Sequence, residues 1–506
     1  MEINRRSAVQ TKITTLLLAL CANAIDLQAQ NAMQVIQNAA AAIGGKDRIQ
    51  NVKTLLLEGQ GTDLDQGFTI RPADDVQAFY YLLDFKRQLD IPNERMLVDQ
   101  LRASAWPFAA ERTVNNQTFG IDGDVAYNIN GNGNAARAPT AQARDRRIQM
   151  LHHPLIILRA VLNPDAQITN LRREGKAQVV DIVTAKHDKI TLSVDAETSL
   201  PVKAVSMTAH PNLGDITKET LFWNYEDING LKLPRRIKTK MDKYIELDLE
   251  FKKMTVDSGV GNLAAPATVK TVPVPVPPPP NVVVTEVGKG IWHLGGSGAN
   301  SILFEFDDHL TLYEVPNEAR AVAVISKART LVPRKLLTQV IVSHHHFDHA
   351  GGLRVAVAEG LTVITHKDNV DFFKDLVTRH HSIEPDALEK NSKPIKLIPI
   401  DDTYTLKDKS MEVRLYHVLK YSGNFREGTL IYAYVPRDRI LVQADLYDAG
   451  WGRYAWADVF LWNLRYRNLQ VDKDLPVHGE IQSWPDVIKT MQARPNSLME
   501  SPFTTN

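Results

Sequence analysis

The run Pro273-Val274-Pro275-Val276-Pro277-Pro278-Pro279-Pro280 constrains this sequence more than any other feature. Proline fixes φ and removes a backbone donor, so these residues cannot continue a helix or a central strand. They predict a stiff, extended spacer between folded units. A proline-rich recognition motif is the other reading, but the composition changes on both sides of the run, as it does at a linker. The chain has 506 residues, beyond the size at which one core keeps growing. The expected organisation is a leader over 1–29, a β-rich domain over 30–265, a linker over 266–281, a second domain over 282–490 and a tail over 491–506.

The leader reads as an export signal. Arg5, Arg6 and Lys12 precede the apolar stretch Ile13 to Ala24, and Leu27-Gln28-Ala29 offers a small residue for cleavage. A membrane anchor is the alternative, but the apolar stretch is shorter than the roughly 20 residues a spanning helix needs. Cys21, the single cysteine, lies inside this segment. Once the leader is removed, disulfides and thiolate metal ligands are ruled out. The expectation is a periplasmic or secreted protein without a transmembrane segment. Lys+Arg and Asp+Glu both count 59, so no net field steers the chain toward nucleic acid.

Before the linker, a helix is expected near Ala32 to Ile43, and β structure after it. Val52 to Gly59 is β-rich, while Lys189 to Val194 and Tyr244 to Phe251 alternate apolar and polar residues. The pattern predicts a mainly antiparallel sheet with one wet face. It is weakly similar to the half-barrel sheets of periplasmic lipoprotein carriers. Gly230 and Pro234 are expected in turns, Gly131 to Arg137 in a loop, and His152 and His153 in a turn or at the surface. After the linker, strands alternate with helices, which predicts sheets covered by helices.

In the second half, the apolar strand Gln339 to Val342 runs into Ser343-His344-His345-His346-Phe347-Asp348-His349. At extended spacing His344 and His346 point to one side and His345 to the other. Asp348 and His349 follow, then Gly351-Gly352 at the entry to a helix. Four potential ligands thus crowd one strand end, where sites in such sheets lie. Imidazole nitrogen and carboxylate oxygen without sulfur suit zinc, with iron or manganese as substitutes.

This H-x-H-x-D-H run resembles the hallmark of the metallo-β-lactamase superfamily, and the resemblance extends over about Val282 to Ile488. It implies an α/β fold of the αββα sandwich type, with metals at one edge of two packed sheets. His344, His346, Asp348 and His349 fit the run. Asp445, at the end of Arg439 to Ala444, resembles the aspartate that bridges two metals. His478 in Val477-His478-Gly479 looks like the last histidine ligand. The family's remaining histidine position is taken by Phe425, which cannot bind zinc; His417 is either its substitute or a strand residue. A second departure is Tyr313-Glu314-Val315-Pro316, where many members have an aspartate-threonine-glycine turn.

The resemblance implies a zinc-dependent hydrolase with two Zn2+ ions, one weakly held, and the leader implies that it is exported. Asp348, His349 and His478 would hold one metal, His344 and His346 the other, with Asp445 between. Asp348 would also be the catalytic carboxylate, and a metal-bound hydroxide would attack an ester, lactone, amide or phosphodiester of a small-molecule substrate. Phe425 motivates a different class, a cell-envelope binding protein with a degenerate metal site and little catalysis.

Overall fold

The structure is a computed structural model that describes residues 31–64, 79–104, 114–296, 298–419, 427–451 and 457–492. The leader, the tail from residue 493 and Phe425 lie outside the described residues, and 491–492 finish the helix Trp484–Gln492.

Before the proline run the described chain forms one sheet of 13 strands in meander order. Its edges are Ala135–Arg137 and Gln167–Glu174, and every neighbouring pair is antiparallel. The first strand, Thr54–Leu64, closes on the last, Tyr244–Val256, so the two ends of this unit meet in mid-sheet. Four helices, over 31–43, Lys46–Asn51, Thr140–Leu151 and Pro154–Val161, pack on one face. The shared core includes Ile36, Leu55, Leu57, Phe85, Leu89, Leu155, Leu158, Leu249 and Phe251. The alternation seen in Tyr244 to Phe251 is this division: Leu249 and Phe251 are buried, whereas Ile245 and Glu250 are exposed.

Four local expectations are corrected here. Pro234 lies inside the strand Leu231–Met241, opposite Tyr225. Pairing with the other neighbour begins only at Arg236, so no ladder bond needs the missing N–H. Residues 135–137 form an edge strand rather than a loop. His152 and His153 are 3% and 1% exposed, not surface groups, because the two helices they join turn inward onto the sheet. His152 is satisfied inside by Thr220 Oγ1 at 2.8 Å and Ser206 Oγ at 2.9 Å.

After the run, two sheets face each other. One has 7 strands, from Val283–Gly288 to Lys396–Ile400, and the other has 6, from Thr403–Lys407 to Gln482–Ser483. Ile302, Phe304, Tyr313 and Ile341 of the first interlock with Val413, Leu415, Ile431 and Val442 of the second. Helices Glu318–Leu331, Leu353–Ala358 and Val370–Thr378 cover the outer face of the first. Ala457–Tyr466 and Trp484–Gln492 cover the second. The layers are therefore αββα, as expected. The central strands are apolar along their whole length because both of their faces are covered.

A stiff, extended spacer implies few contacts between the units it joins. Instead the hairpin of Pro201–His210 and Gly214–Ile228 pushes its tip into the second unit. Leu213 and Ile216 are buried in the core beneath that unit's first helix layer. Asp215 accepts from the backbone of Ser382 and Ile383, and its own N–H donates to His380 O at 2.7 Å. Arg379 pairs with Asp242 across the same boundary. The spacer itself is pinned at its end, where the buried Arg320 donates to Asn281 O at 2.6 Å.

Candidate metal centre

Four strands deliver the site, all from their C-terminal ends. His309–Tyr313 leads to Glu314, and its parallel neighbour Leu336–Ile341 leads to the histidine run. In the second sheet, Ile440–Gln443 leads to Asp445, and its parallel neighbour Lys473–Pro476 leads to His478. Gln443 pairs with Pro476, so Asp445 and His478 each stand two residues beyond the same rung. Tyr313 Oη donating to Ile431 O at 2.9 Å ties the sheets together at this edge.

His349 Nε2 lies 3.1 Å from Asp445 Oδ1 and 3.6 Å from Asp348 Oδ2. His478 Nε2 lies 3.3 Å from Asp445 Oδ1, 3.2 Å from Asp348 Oδ2 and 3.2 Å from His349 Nε2. Ligand bonds of roughly 2.0–2.2 Å in a tetrahedral zinc site give edges of about 3.3–3.6 Å. Asp348, His349 and His478 bring their ligand atoms close enough together to share one ion, and His344, His349 and Asp445 form a second such group. Asp445 turns its other oxygen to the second pair: Oδ2 is 3.4 Å from His344 Nε2 and 3.8 Å from His346 Nδ1. His344 Nδ1 is engaged by Ser343 Oγ at 2.9 Å, which leaves its buried Nε2 without a hydrogen bond. His345 points the other way and meets the Phe372 ring edge-on.

The charges fit this arrangement. Burial alone would neutralise Asp445, yet the charge of His349 and the nearby rings of His344, His346 and His349 hold its pKa well below the ordinary value. Burial likewise opposes charge on His478, but Asp348 and Asp445 outweigh it and push the pKa up to about 9. His349 is raised for the same reason against the same burial, by Asp445 and then Asp348. Two carboxylates thus fix the positive charge of two imidazoles in a buried space. A divalent cation there would take the place of those protons.

Several residues that hold this shell were not singled out from the sequence. Glu314 is fully buried, accepts from Ser343 N at 3.2 Å and faces His349 Nδ1 at 3.7 Å. It stands on the far side of His349 from the other ligands, as carboxylates behind metal-binding histidines do. Its position at a strand end in Tyr313-Glu314-Val315-Pro316 was the available signal. Gln443 shapes the turn that carries Asp445, whose φ of 57° is left-handed. Its Oε1 accepts from Leu446 N at 3.0 Å and Tyr447 N at 3.1 Å, and its Nε2 donates to Asp474 at 3.1 Å. Burial pushes the Asp474 carboxyl up to about 8. Asn300 clamps the His478 loop by donating to Pro476 O at 3.1 Å and Gly479 O at 2.8 Å. From the first unit, Asn212 donates to Gly351 O at 3.0 Å, and His210 lies on the Phe347 ring. The hairpin tip therefore backs the short helix Phe347–Ala350, which carries Asp348 and His349.

His417 does not join the described ligands. Its Nε2 sits 3.2 Å from Gly428 O, and its ring stacks on His366 with centroids 4.0 Å apart. Among the described residues, the second pair keeps His344, His346 and Asp445 alone.

Residues 294–417 match the family model described as the metallo-beta-lactamase superfamily. The C-terminal domain is of the metallo-β-lactamase type. Solved structures similar to the chain include a metallo-beta-lactamase from Pontibacter korlensis, at 15% identity and TM-score 0.32, covering 42% of this chain and 97% of that one. A metallo-beta-lactamase from Hirschia baltica is similar at 16% identity and TM-score 0.31, covering 42% and 96%. The stereoselective inverting sec-alkylsulfatase Pisa1 from a Pseudomonas species is similar at 17% identity and TM-score 0.31, covering 42% and 40%. No curated protein matches the chain.

Proposed function

We propose that the protein is an exported, metal-dependent hydrolase whose reaction centre is the shell formed by Asp348, His349, Asp445 and His478, with a second, weaker position at His344 and His346. The observation that carries this reading is the spacing of Asp348 Oδ2, His349 Nε2, Asp445 Oδ1 and His478 Nε2, separated by 3.1–3.6 Å in the pairs given above. Their nitrogen and oxygen donors fit zinc, and the unpartnered, buried Nε2 of His344 extends the donor set toward Asp445 Oδ2. A divalent ion bound there lowers the pKa of a coordinated water toward about 7 and polarises a carbonyl or phosphoryl oxygen.

The chain's own groups supply the rest. Glu314 orients His349, Asn300 orients His478, and Gln443 keeps Asp445 between the two positions. Asp348 is about 30% exposed where His349 and His344 are fully buried, so it is the ligand that meets substrate side solvent. Its Oδ1 is buried and makes no hydrogen bond, which leaves an acceptor open inside the site. Among the described residues, no helix is long and apolar enough to cross a membrane.

The test is metal analysis and a screen of ester, lactone, β-lactam and phosphodiester substrates on the purified protein and on Asp348→Ala. The reading expects zinc-dependent hydrolysis of at least one class, lost in the variant with its metal. Hydrolysis that survives both chelation and Asp348→Ala would refute it.

A further inference from the structure

Asp474 is a fully buried acid that is not among the ligands of the metal centre. It lies in the strand Lys473–Pro476, opposite Leu441 of the strand that leads to Asp445. Its neighbour Leu475 packs between the sheets, so Asp474 faces the other way, toward the layer of Ala457–Tyr466 and Trp484–Gln492. Oδ2 accepts from Gln443 Nε2 at 3.1 Å, whereas Oδ1 has no hydrogen-bond partner. No described cation offsets the carboxyl.

The side chain of Gln443 is fully committed. Its Oε1 takes Leu446 N and Tyr447 N, and its Nε2 divides between Asp474 and Tyr447 O, the latter at 2.8 Å. Residues 444–447 thus wrap around Gln443, and Asp445 stands in that wrap with its left-handed φ of 57°. Asp474 anchors the wrap from the neighbouring strand. The groups that face Asp474 bring no positive charge. Tyr447, after Gln443, and Tyr313, in the first sheet, are phenols that burial keeps neutral. Arg465, Asp486 and Lys489 on the covering helices are exposed. A carboxylate with one donor and no cation, shut off from water, is strongly unfavourable. Burial accordingly lifts the pKa to about 8, so the group is neutral at pH 7. Ionised, it would compete with Tyr447 O for Nε2 and draw water between strand and helices.

We propose that Asp474 is a positioning residue of the metal centre, holding Gln443 and through it the Asp445 turn while its carboxyl is neutral, and releasing both when it ionises. This rests on the reading of Asp445 as a metal ligand. Asparagine at this position keeps the shape and the acceptor of the neutral acid but cannot ionise. Leucine keeps a similar volume and removes the acceptor.

The experiment measures zinc affinity of the full protein against a chelating dye at pH 7 and pH 9, with Asp474→Asn and Asp474→Leu alongside. At pH 7 Asp474→Leu should bind zinc at least about ten-fold more weakly, as when a group that orients a ligand is removed. Asp474→Asn should match the unaltered protein there. With a pKa of about 8, roughly one carboxyl in ten is still neutral at pH 9. Between the two pH values the unaltered protein should therefore lose about ten-fold in affinity relative to Asp474→Asn. Zinc binding by Asp474→Leu as tight as in the unaltered protein overturns the proposal. So does a parallel change of the unaltered protein and Asp474→Asn from pH 7 to pH 9. Should Asp474→Leu fail to fold, the comparison with Asp474→Asn decides alone. Should none of the three bind zinc, the reading of the metal centre fails by itself, and hydrogen exchange of the zinc-free protein over 443–448 decides whether Asp474 holds the turn. Exchange, corrected for its intrinsic rate, that quickens at pH 9 in the unaltered protein but not in Asp474→Asn supports the anchor; equal exchange refutes it.

Discussion

Gly214, the first residue of its strand, and Gly175, in a turn, have φ of 69° and 59°, and comparing them measures the docking of the two units. Replacing either by alanine imposes the left-handed penalty of roughly 1–2 kcal/mol. Around Gly175 an added Cβ meets nothing within 4 Å, so that penalty is the whole effect. At Gly214 the same Cβ would lie 2.1 Å from His380 O and 2.5 Å from His381 Cδ2. The hairpin tip must then withdraw from the second unit by about 1 Å to reach ordinary contact. That motion breaks the 2.7 Å bond from Asp215 N to His380 O and stretches the 3.0 Å bond from Asn212 to Gly351 O. Each is worth roughly 1 kcal/mol. It also loosens Leu213 and Ile216, whose full burial contributes roughly 1.5–3 kcal/mol apiece. Gly214→Ala should therefore lose roughly 2–4 kcal/mol more than Gly175→Ala. Urea unfolding followed by circular dichroism, with both variants side by side, reads the difference. Because Asn212 and His210 back the helix that carries Asp348 and His349, Gly214→Ala should also release zinc faster. Equal losses in the two variants, with equal zinc retention, would show that the tip does not brace the centre.

Asn300→Ala should leave the fold intact but lower zinc affinity roughly 10–100-fold, the usual effect of removing a group that orients a ligand; a competition titration with a chelating dye checks it. Glu314→Gln should lower zinc affinity by a similar factor, since it removes the charge facing His349 while keeping the bond from Ser343 N; an unchanged affinity would mean that Glu314 only shapes the turn. Burial, aided by Lys218 for His152 and by Arg87 for His153, lowers both pKa values from 6.5 to about 3. Their folded pKa lies below the unfolded one, so stability is complete above pH 6.5 and falls as pH drops toward 3, because only the unfolded chain takes up the protons. Linkage puts the loss at roughly 3 kcal/mol per histidine by pH 4, approaching about 5 below pH 3, and urea midpoints from pH 7 to pH 4 should shrink less in His153→Phe than in the unaltered protein.

The sequence exposed the strands of the second unit because covered strands are apolar throughout and end abruptly in polar ligands. Ile440 to Ala444 before Asp445 shows this as clearly as Gln339 to Val342 before the histidines. What it hid were properties set by neighbours distant in the chain. The burial of His152 depends on Ser206 and Thr220, and Pro234 is tolerated because its second neighbour begins pairing only at Arg236. The docking of the hairpin tip hides behind the ordinary turn sequence His210 to Gly214. Glu314 was visible only as a departure from a familiar turn, since its partner Ser343 lies 29 residues away. His417 could be read as a ligand or a strand residue; it ends the strand Glu412–His417, and the direction of its ring depends on His366.

The central claim is that Asp348, His349, Asp445 and His478 close around one metal ion, with a weaker second position at His344 and His346. Zinc titration of the chelator-stripped full protein, with His478→Ala and His346→Ala alongside, tests it most directly. The account predicts a tight binding step that disappears in His478→Ala and a weaker one that disappears in His346→Ala. No zinc bound by the unaltered protein, or a tight step that survives His478→Ala, would contradict it.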